Sequence, residues 1–89
     1  MGTIINKIRL LKSQRMFDKA LALVNDLLAH EPNLAEALYL KAHVLLEGFK
    51  NPWGAECCFR RVLELTEASE QVHCWASSCL SRIHKRASQ

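Results

Sequence analysis

The amino-acid sequence predicts an all-α protein built from stacked helix pairs, and three observations predict it. First, Ala20-x3-Val24-x2-Leu27 recurs as Ala55-x3-Phe59-x2-Val62 at an offset of 35 residues. Ile4, Ile8 and Leu11 recur as Leu38, Ala42 and Leu45 at an offset of 34, and again in part as Val72, Ala76 and Cys79. Self-similarity at this period marks a helical repeat, in which neighbouring units bury each other's apolar faces. Second, 89 residues with 49% hydrophobic content contain only three Gly and two Pro, which suits long helices joined by tight turns. Third, no segment alternates apolar and polar residues with period two, so no strand is expected.

Five helices follow from the apolar spacing. Thr3 can cap a first helix that runs to about Ser13, with Ile4, Ile8 and Leu11 on one stripe. Gln14-Arg15-Met16 reads as a turn. A second helix spans about Phe17 to His30, striped by Phe17, Ala20, Leu21, Val24, Leu27 and Leu28, and Pro32 ends it by excluding helical geometry from the residue before it. Asn33-Leu34-Ala35-Glu36 has the form of a capping box opening a third helix to about Glu47, with Gly48 as its stop. Asn51-Pro52 is a cap followed by proline, opening a fourth helix to about Leu65 with Ala55, Cys58, Phe59, Val62 and Leu65 inside. Ser69 can cap a fifth helix to about Lys85, apolar along Val72, Trp75, Ala76, Cys79, Leu80 and Ile83. One polar and one apolar face suits a terminal capping helix, so the expectation is a complete domain of two helix pairs and a cap: 1–34, 35–68 and 69–86.

Composition narrows the function classes. No apolar run reaches the ~18–20 residues of a membrane span. The N-terminus lacks the basic-then-apolar layout of a secretory signal, and Lys7 stands where a myristoylation signal at Gly2 would need Ser or Thr. A cytoplasmic location is the expectation. The net charge of +3 is too small to imply nucleic acid, and the basic tail Arg82, Lys85, Arg86 lacks interleaved aromatics. Charge is uneven, however. Residues 1–20 carry Lys7, Arg9, Lys12, Arg15 and Lys19 against Asp18, whereas Asp26, Glu31, Glu36, Glu47 and Glu56 dominate the middle. This pattern either favours an acidic partner or belongs to solvated helix faces. No nucleophile motif or glycine-rich phosphate loop occurs, so no enzyme is expected.

The residues Phe17-Asp18-x-Ala20, Val24, Leu27 and Pro32-Asn33, then Ala35-Glu36-Ala37, Leu38, Ala42, Leu45, Ala55, Phe59, Val62 and Leu63-Glu64-Leu65, resemble a tetratricopeptide repeat protein over nearly the whole chain. Ile8 departs from the family's small residue, Lys7 and Lys41 replace apolar ones, Glu67 replaces a proline, and the Gly48–Gly54 turn is one residue longer. The resemblance implies a right-handed superhelix of antiparallel helix pairs. It also implies a concave groove, lined by the first helix of each pair, that holds a peptide or helix of a partner protein. By pattern position the groove would comprise Ile5, Arg9 and Lys12; Glu36, Tyr39, His43 and Leu46; and His73, Ser77 and Leu80. Some family members clamp a carboxylate with Lys, Asn and Arg; the Asn positions are not matched here. Arg9, Lys12, His43 and His73 would favour an acidic partner, and Tyr39 is the expected aromatic anchor. Otherwise these are ordinary exposed side chains of a scaffold.

The cysteines Cys57, Cys58, Cys74 and Cys79 lack paired metal-ligand spacing, and adjacent Cys57 and Cys58 point about 100° apart on a helix. Neither metal nor cofactor is expected, and Cys58 and Cys79 fall on core stripes. Phe49 and Trp53 flank the longer turn, either as a hydrophobic plug beneath it or as an exposed patch for self-association. The functional expectation is therefore a non-catalytic protein-interaction module, monomeric or homodimeric. The alternatives are an oligomerisation subunit or small co-chaperone using the Phe49/Trp53 surface or an outer helix face, and a zinc- or redox-responsive protein.

Overall fold

The computed structural model describes residues 2–87 and folds them into five helices: α1 (Gly2–Ser13), α2 (Phe17–His30), α3 (Ala35–Gly48), α4 (Pro52–Leu65) and α5 (Gln71–Ala87). No strand occurs among the described residues, and none of their helices is long and apolar enough to cross a membrane. Each helix packs against its neighbours in the chain, and α1 and α5 also touch α3. The shortest dimension, 19 Å, is the thickness of two helix layers, with α1, α3 and α5 in one and α2 and α4 in the other. Chain neighbours run antiparallel: Phe17 at the start of α2 meets Gly48 at the end of α3, and Thr66 after α4 meets His73 near the start of α5.

The apolar stripes build two core clusters that share α3. Ile5, Ile8, Ala20, Val24 and Leu27 pack with Ala37, Leu40 and Val44 from one side of α3. Leu38 and Ala42, from its other side, pack with Ala55, Cys58, Phe59, Val62, Ala76, Leu80 and Ile83. The spacings 37-40-44 and 38-42 each keep to one helix face, so α3 is apolar on two sides and forms the spine of the molecule. Phe59, the largest fully buried side chain, anchors the second cluster; burying such a ring stabilises by about 1.5–3 kcal/mol.

Helix ends depart from the sequence expectations in instructive ways. Asn51 caps α4 as expected, its Oδ1 accepting from the Gly54 N–H at 3.0 Å. The capping box before α3 does not form. Leu34, which has no side-chain acceptor, occupies the cap position, and Asn33 Oδ1 accepts instead from Arg61 Nη2 at 3.0 Å. Ser69 does not cap α5 either. Glu70 directly precedes that helix, and its carboxylate accepts from the Glu67 N–H at 2.8 Å. Thr3 lies within α1, which already runs from Gly2, and its side chain is outside the described residues. Gly48 is still helical and has no positive φ; the left-handed residues are Arg15 (φ 62°) and Lys50 (φ 51°). Around Arg15, Met16 N bonds Leu11 O at 2.9 Å and Arg15 N bonds Lys12 O at 3.0 Å, the double closure that usually places glycine at the left-handed position. Gly48 is small for another reason: a Cβ there would lie 2.6 Å from Phe17 Cβ and overlap the ring.

Candidate interaction face

The layer of α1, α3 and α5 presents one face away from α2 and α4. Along α3 the residues Glu36, Tyr39, His43 and Glu47 follow one another at helical spacings of three and four, so they share a stripe. Tyr39 sits at its centre. Its ring centroid lies 4.6 Å from that of His43, 5.8 Å from that of Phe59 beneath it, and 5.8 Å from that of Trp75 on α5. His43 also leans on Phe59, at 5.5 Å. The expected anchor is therefore only half-buried, but it is seated on the second core cluster.

Two basic side chains of α1, those of Arg9 and Lys12, arrive beside this stripe already paired. Arg9 lies 4.0 Å from Glu36, and Lys12 Nζ lies 3.0 Å from Glu47 Oε2. The same Glu47 oxygen is 3.4 Å from His43 Nδ1, and His43 Nε2 is 3.8 Å from Cys79 Sγ. Burial, reinforced by the nearby Lys12 charge, lowers the pKa of His43 despite the opposing pull of Glu47. Burial likewise raises Cys79 and Tyr39. Thiol, imidazole and carboxylate stand in the order of a nucleophilic triad, but these shifts favour a neutral thiol beside a neutral ring rather than a thiolate–imidazolium pair. Cys79 also sits in mid-α5, where backbone N–H groups serve the helix itself and are not free to hold an oxyanion. All four cysteines are free of disulfides: Cys58 is buried in the core, Cys79 is half-buried, and Cys57 and Cys74 are exposed. Among the described residues no three His, Cys, Asp or Glu side chains converge on a point that could hold a metal ion.

Several expected groove residues are elsewhere. Ile5 and Leu80 are buried in the two core clusters. His73 turns toward the end of α4, its Nδ1 lying 3.0 Å from Thr66 Oγ1, and Ser77, one turn on, follows it away from Tyr39. The α5 residues that meet the α3 stripe are Trp75 and Cys79, each 36 positions after its partner, Tyr39 or His43. A 34-residue offset named His73 and Ser77 instead. The five-residue link from Thr66 to Glu70, where the resemblance expected a proline, goes with this two-residue change of register. That missing proline was the available signal.

One cleft opens on this face and a second at its edge, where it meets α4. The first, about 420 Å³, is lined by Arg9, Glu36, Tyr39, Val72 and Trp75 among others. The second, about 900 Å³, lies where the C-terminal halves of α3 and α5 meet the first turn of α4, and Trp53, Leu46, Ile83, Lys50, Arg82 and Lys85 line it together with His43, Cys79 and Glu56. Trp53 is 77% exposed and Phe49 41% exposed, so neither plugs the turn. They do not form one patch in this cleft, because Phe49 is absent from its lining. The basic tail is divided: Arg82 and Lys85 face the second cleft, while the Arg86 side chain is outside the described residues.

Comparison of the chain with protein-family models, with curated proteins and with solved structures finds no match in any of the three.

Proposed function

We propose that this protein is a non-catalytic interaction module, with two tetratricopeptide-like helix pairs and a capping helix, that binds a peptide or helix of a partner protein on the face of α1, α3 and α5. The observation that carries this reading is the aromatic group Tyr39, His43 and Trp75, half-exposed on a core-supported stripe between two clefts. Aromatic side chains that combine apolar area with few rotatable bonds supply a large share of binding energy at protein interfaces. Ion-paired Arg9 and Lys12 form a polar rim beside them. Four unpaired cysteines suit a reducing compartment, and we assign the protein to the cytoplasm on that basis.

The test is affinity capture from a lysate with three baits: wild type, Trp75→Ala, and Glu64→Ala as a control on the outer surface. A discrete partner held by wild type and Glu64→Ala but lost by Trp75→Ala supports the reading. Equal capture by all three moves binding to another face. Trp75 is the better probe than Tyr39, since truncating Tyr39 also strips support from Phe59.

A second reading is favoured by the exposure of Trp53: self-association of the chain through that side chain. Light scattering that gives a monomer mass at all concentrations would remove it.

A further inference from the structure

The second cleft differs from the rest of the face in its charge. Near Tyr39 each cation has a carboxylate, Arg9 with Glu36 and Lys12 with Glu47. In the cleft, Lys50, Arg82 and Lys85 form no ion pair among the described residues. The one carboxylate of the lining, Glu56, is already held by Arg60 at 2.7 Å and His84 at 3.0 Å. Three cations without an ion pair thus gather in this cleft, in contrast to the paired ones beside Tyr39.

The apolar part of the lining is equally specific. Trp53 stands in the first turn of α4, directly after the Asn51 cap and Pro52, so its backbone is fixed by a capped, proline-started helix. Leu46 and Ile83 contribute the neighbouring apolar surface. An exposed indole on a fixed backbone beside aliphatic carbon calls for an apolar group, and the three cations call for anions around it. The Tyr39–Trp75 and His43–Cys79 pairs show that α3 and α5 run in parallel, so the cleft between their C-terminal halves is bounded by two parallel helices, a setting that suits a peptide segment.

We infer that this cleft binds a short acidic segment of a partner protein, with one apolar side chain packed against Trp53 and carboxylates meeting Lys50, Arg82 and Lys85. The inference rests on the interaction-module reading and gives that partner its chemistry.

The probe is a phage-displayed library of random peptides about twelve residues long, selected on the full chain. The expected consensus is acidic with a Leu, Phe or Trp anchor. Its affinity should fall about tenfold on raising NaCl from about 50 mM to about 500 mM, and by a similar factor in Lys50→Glu/Arg82→Glu. In a Trp75→Phe background, the peptide should shift Trp53 emission to the blue. Circular dichroism checks that the variants fold, and the salt series on wild type needs no variant. A neutral or basic consensus overturns the inference, as does binding unaltered by Trp53→Ala. Peptides that depend on Trp75 but ignore the Lys50/Arg82 reversal also overturn it while leaving the interaction-module reading intact. Absence of any enriched peptide counts against both. A blue shift of Trp53 that grows with protein concentration alone would assign the cleft to a second copy of the chain and overturn the acidic occupant.

Discussion

His43 is the residue where stability and the interaction face meet. It is half-buried between Tyr39, Phe59 and Cys79, and burial together with Lys12 lowers its pKa from the ordinary 6.5. Between the lowered folded value and 6.5 the unfolded chain holds more protons than the folded one. The stability contributed by the neutral ring is therefore fully present above about pH 6.5 and is lost as pH falls through the folded value. Urea unfolding should show the midpoint dropping over that window in wild type and dropping less in His43→Gln; equal slopes would mean that His43 is not the group responsible. Glu56 acts lower on the scale. Hydrogen bonds from His84 and then Arg60 hold its carboxyl below the ordinary 4.5, so what it contributes is present above that value and lost in stronger acid. A second residue-scale prediction concerns Gly48. Its backbone is ordinary helix, but a methyl group would overlap Phe17, so Gly48→Ala should destabilise by about 1–3 kcal/mol despite alanine's better helix propensity. A thermal melt at or above the wild-type midpoint would show that Phe17 moves aside at little cost.

At the scale of elements, the turn between α3 and α4 carries both a strain and a charge. Lys50 sits at φ 51°, a region that costs a side-chain-bearing residue about 1–2 kcal/mol. Lys50→Gly should therefore stabilise the fold by about 0.5–1 kcal/mol after the extra backbone freedom of glycine in the unfolded chain is counted. The same change removes a cation from the Trp53 cleft, so melting temperature and acidic-peptide affinity should move in opposite directions; a rise in both would separate Lys50 from the cleft's function. The elements themselves were legible in the sequence, because apolar spacing reports which face is buried: Ala20, Val24 and Leu27, or Ala55, Phe59 and Val62, need only one partner surface each. The caps were less so. Asn33 had the right chemistry for a cap, but Arg61, 28 positions away, takes its oxygen, and nothing local reveals such a competitor. Of the expected face residues, Arg9 and Lys12 of α1 and Tyr39 and His43 of α3 do lie together, whereas Ile5 of α1 is buried in the core and the register of α5 was illegible. There the register depends on a link whose path is set by packing, through contacts such as Thr66 with His73, and not by periodicity. Trp75 and Arg82 were consequently missed, although both residues were visible as an aromatic and a cation at the helix edge.

At the scale of the whole molecule, the arrangement of the two core clusters makes a prediction about cooperativity. Stacked repeats couple only to their neighbours, so a small stack risks unfolding in pieces. Here α3 gives Ala37, Leu40 and Val44 to one cluster and Leu38 and Ala42 to the other, so neither cluster can dissolve without stripping one side of that helix. Both tryptophans, Trp53 and Trp75, lie in the half of the chain served by the second cluster, while far-UV circular dichroism reports all five helices. Val24 is fully buried in the first cluster. Val24→Ala should remove about 1–3 kcal/mol from a total expected to be of order 5–10 kcal/mol, lowering the melting point markedly. Because α3 transmits the loss, tryptophan fluorescence and circular dichroism should still change together, at one shifted midpoint. If circular dichroism instead fell in two steps, with fluorescence following only the second, the first helix pair would be an independently melting unit. The face formed by α1 and α3 would then be ordered only while that pair remained docked. Under the coupled scheme, a ligand held near Tyr39 or in the Trp53 cleft stabilises the first cluster as well as the second, since it raises the free energy needed to release α3. Adding an enriched peptide to Val24→Ala should accordingly restore part of the lost midpoint in both signals.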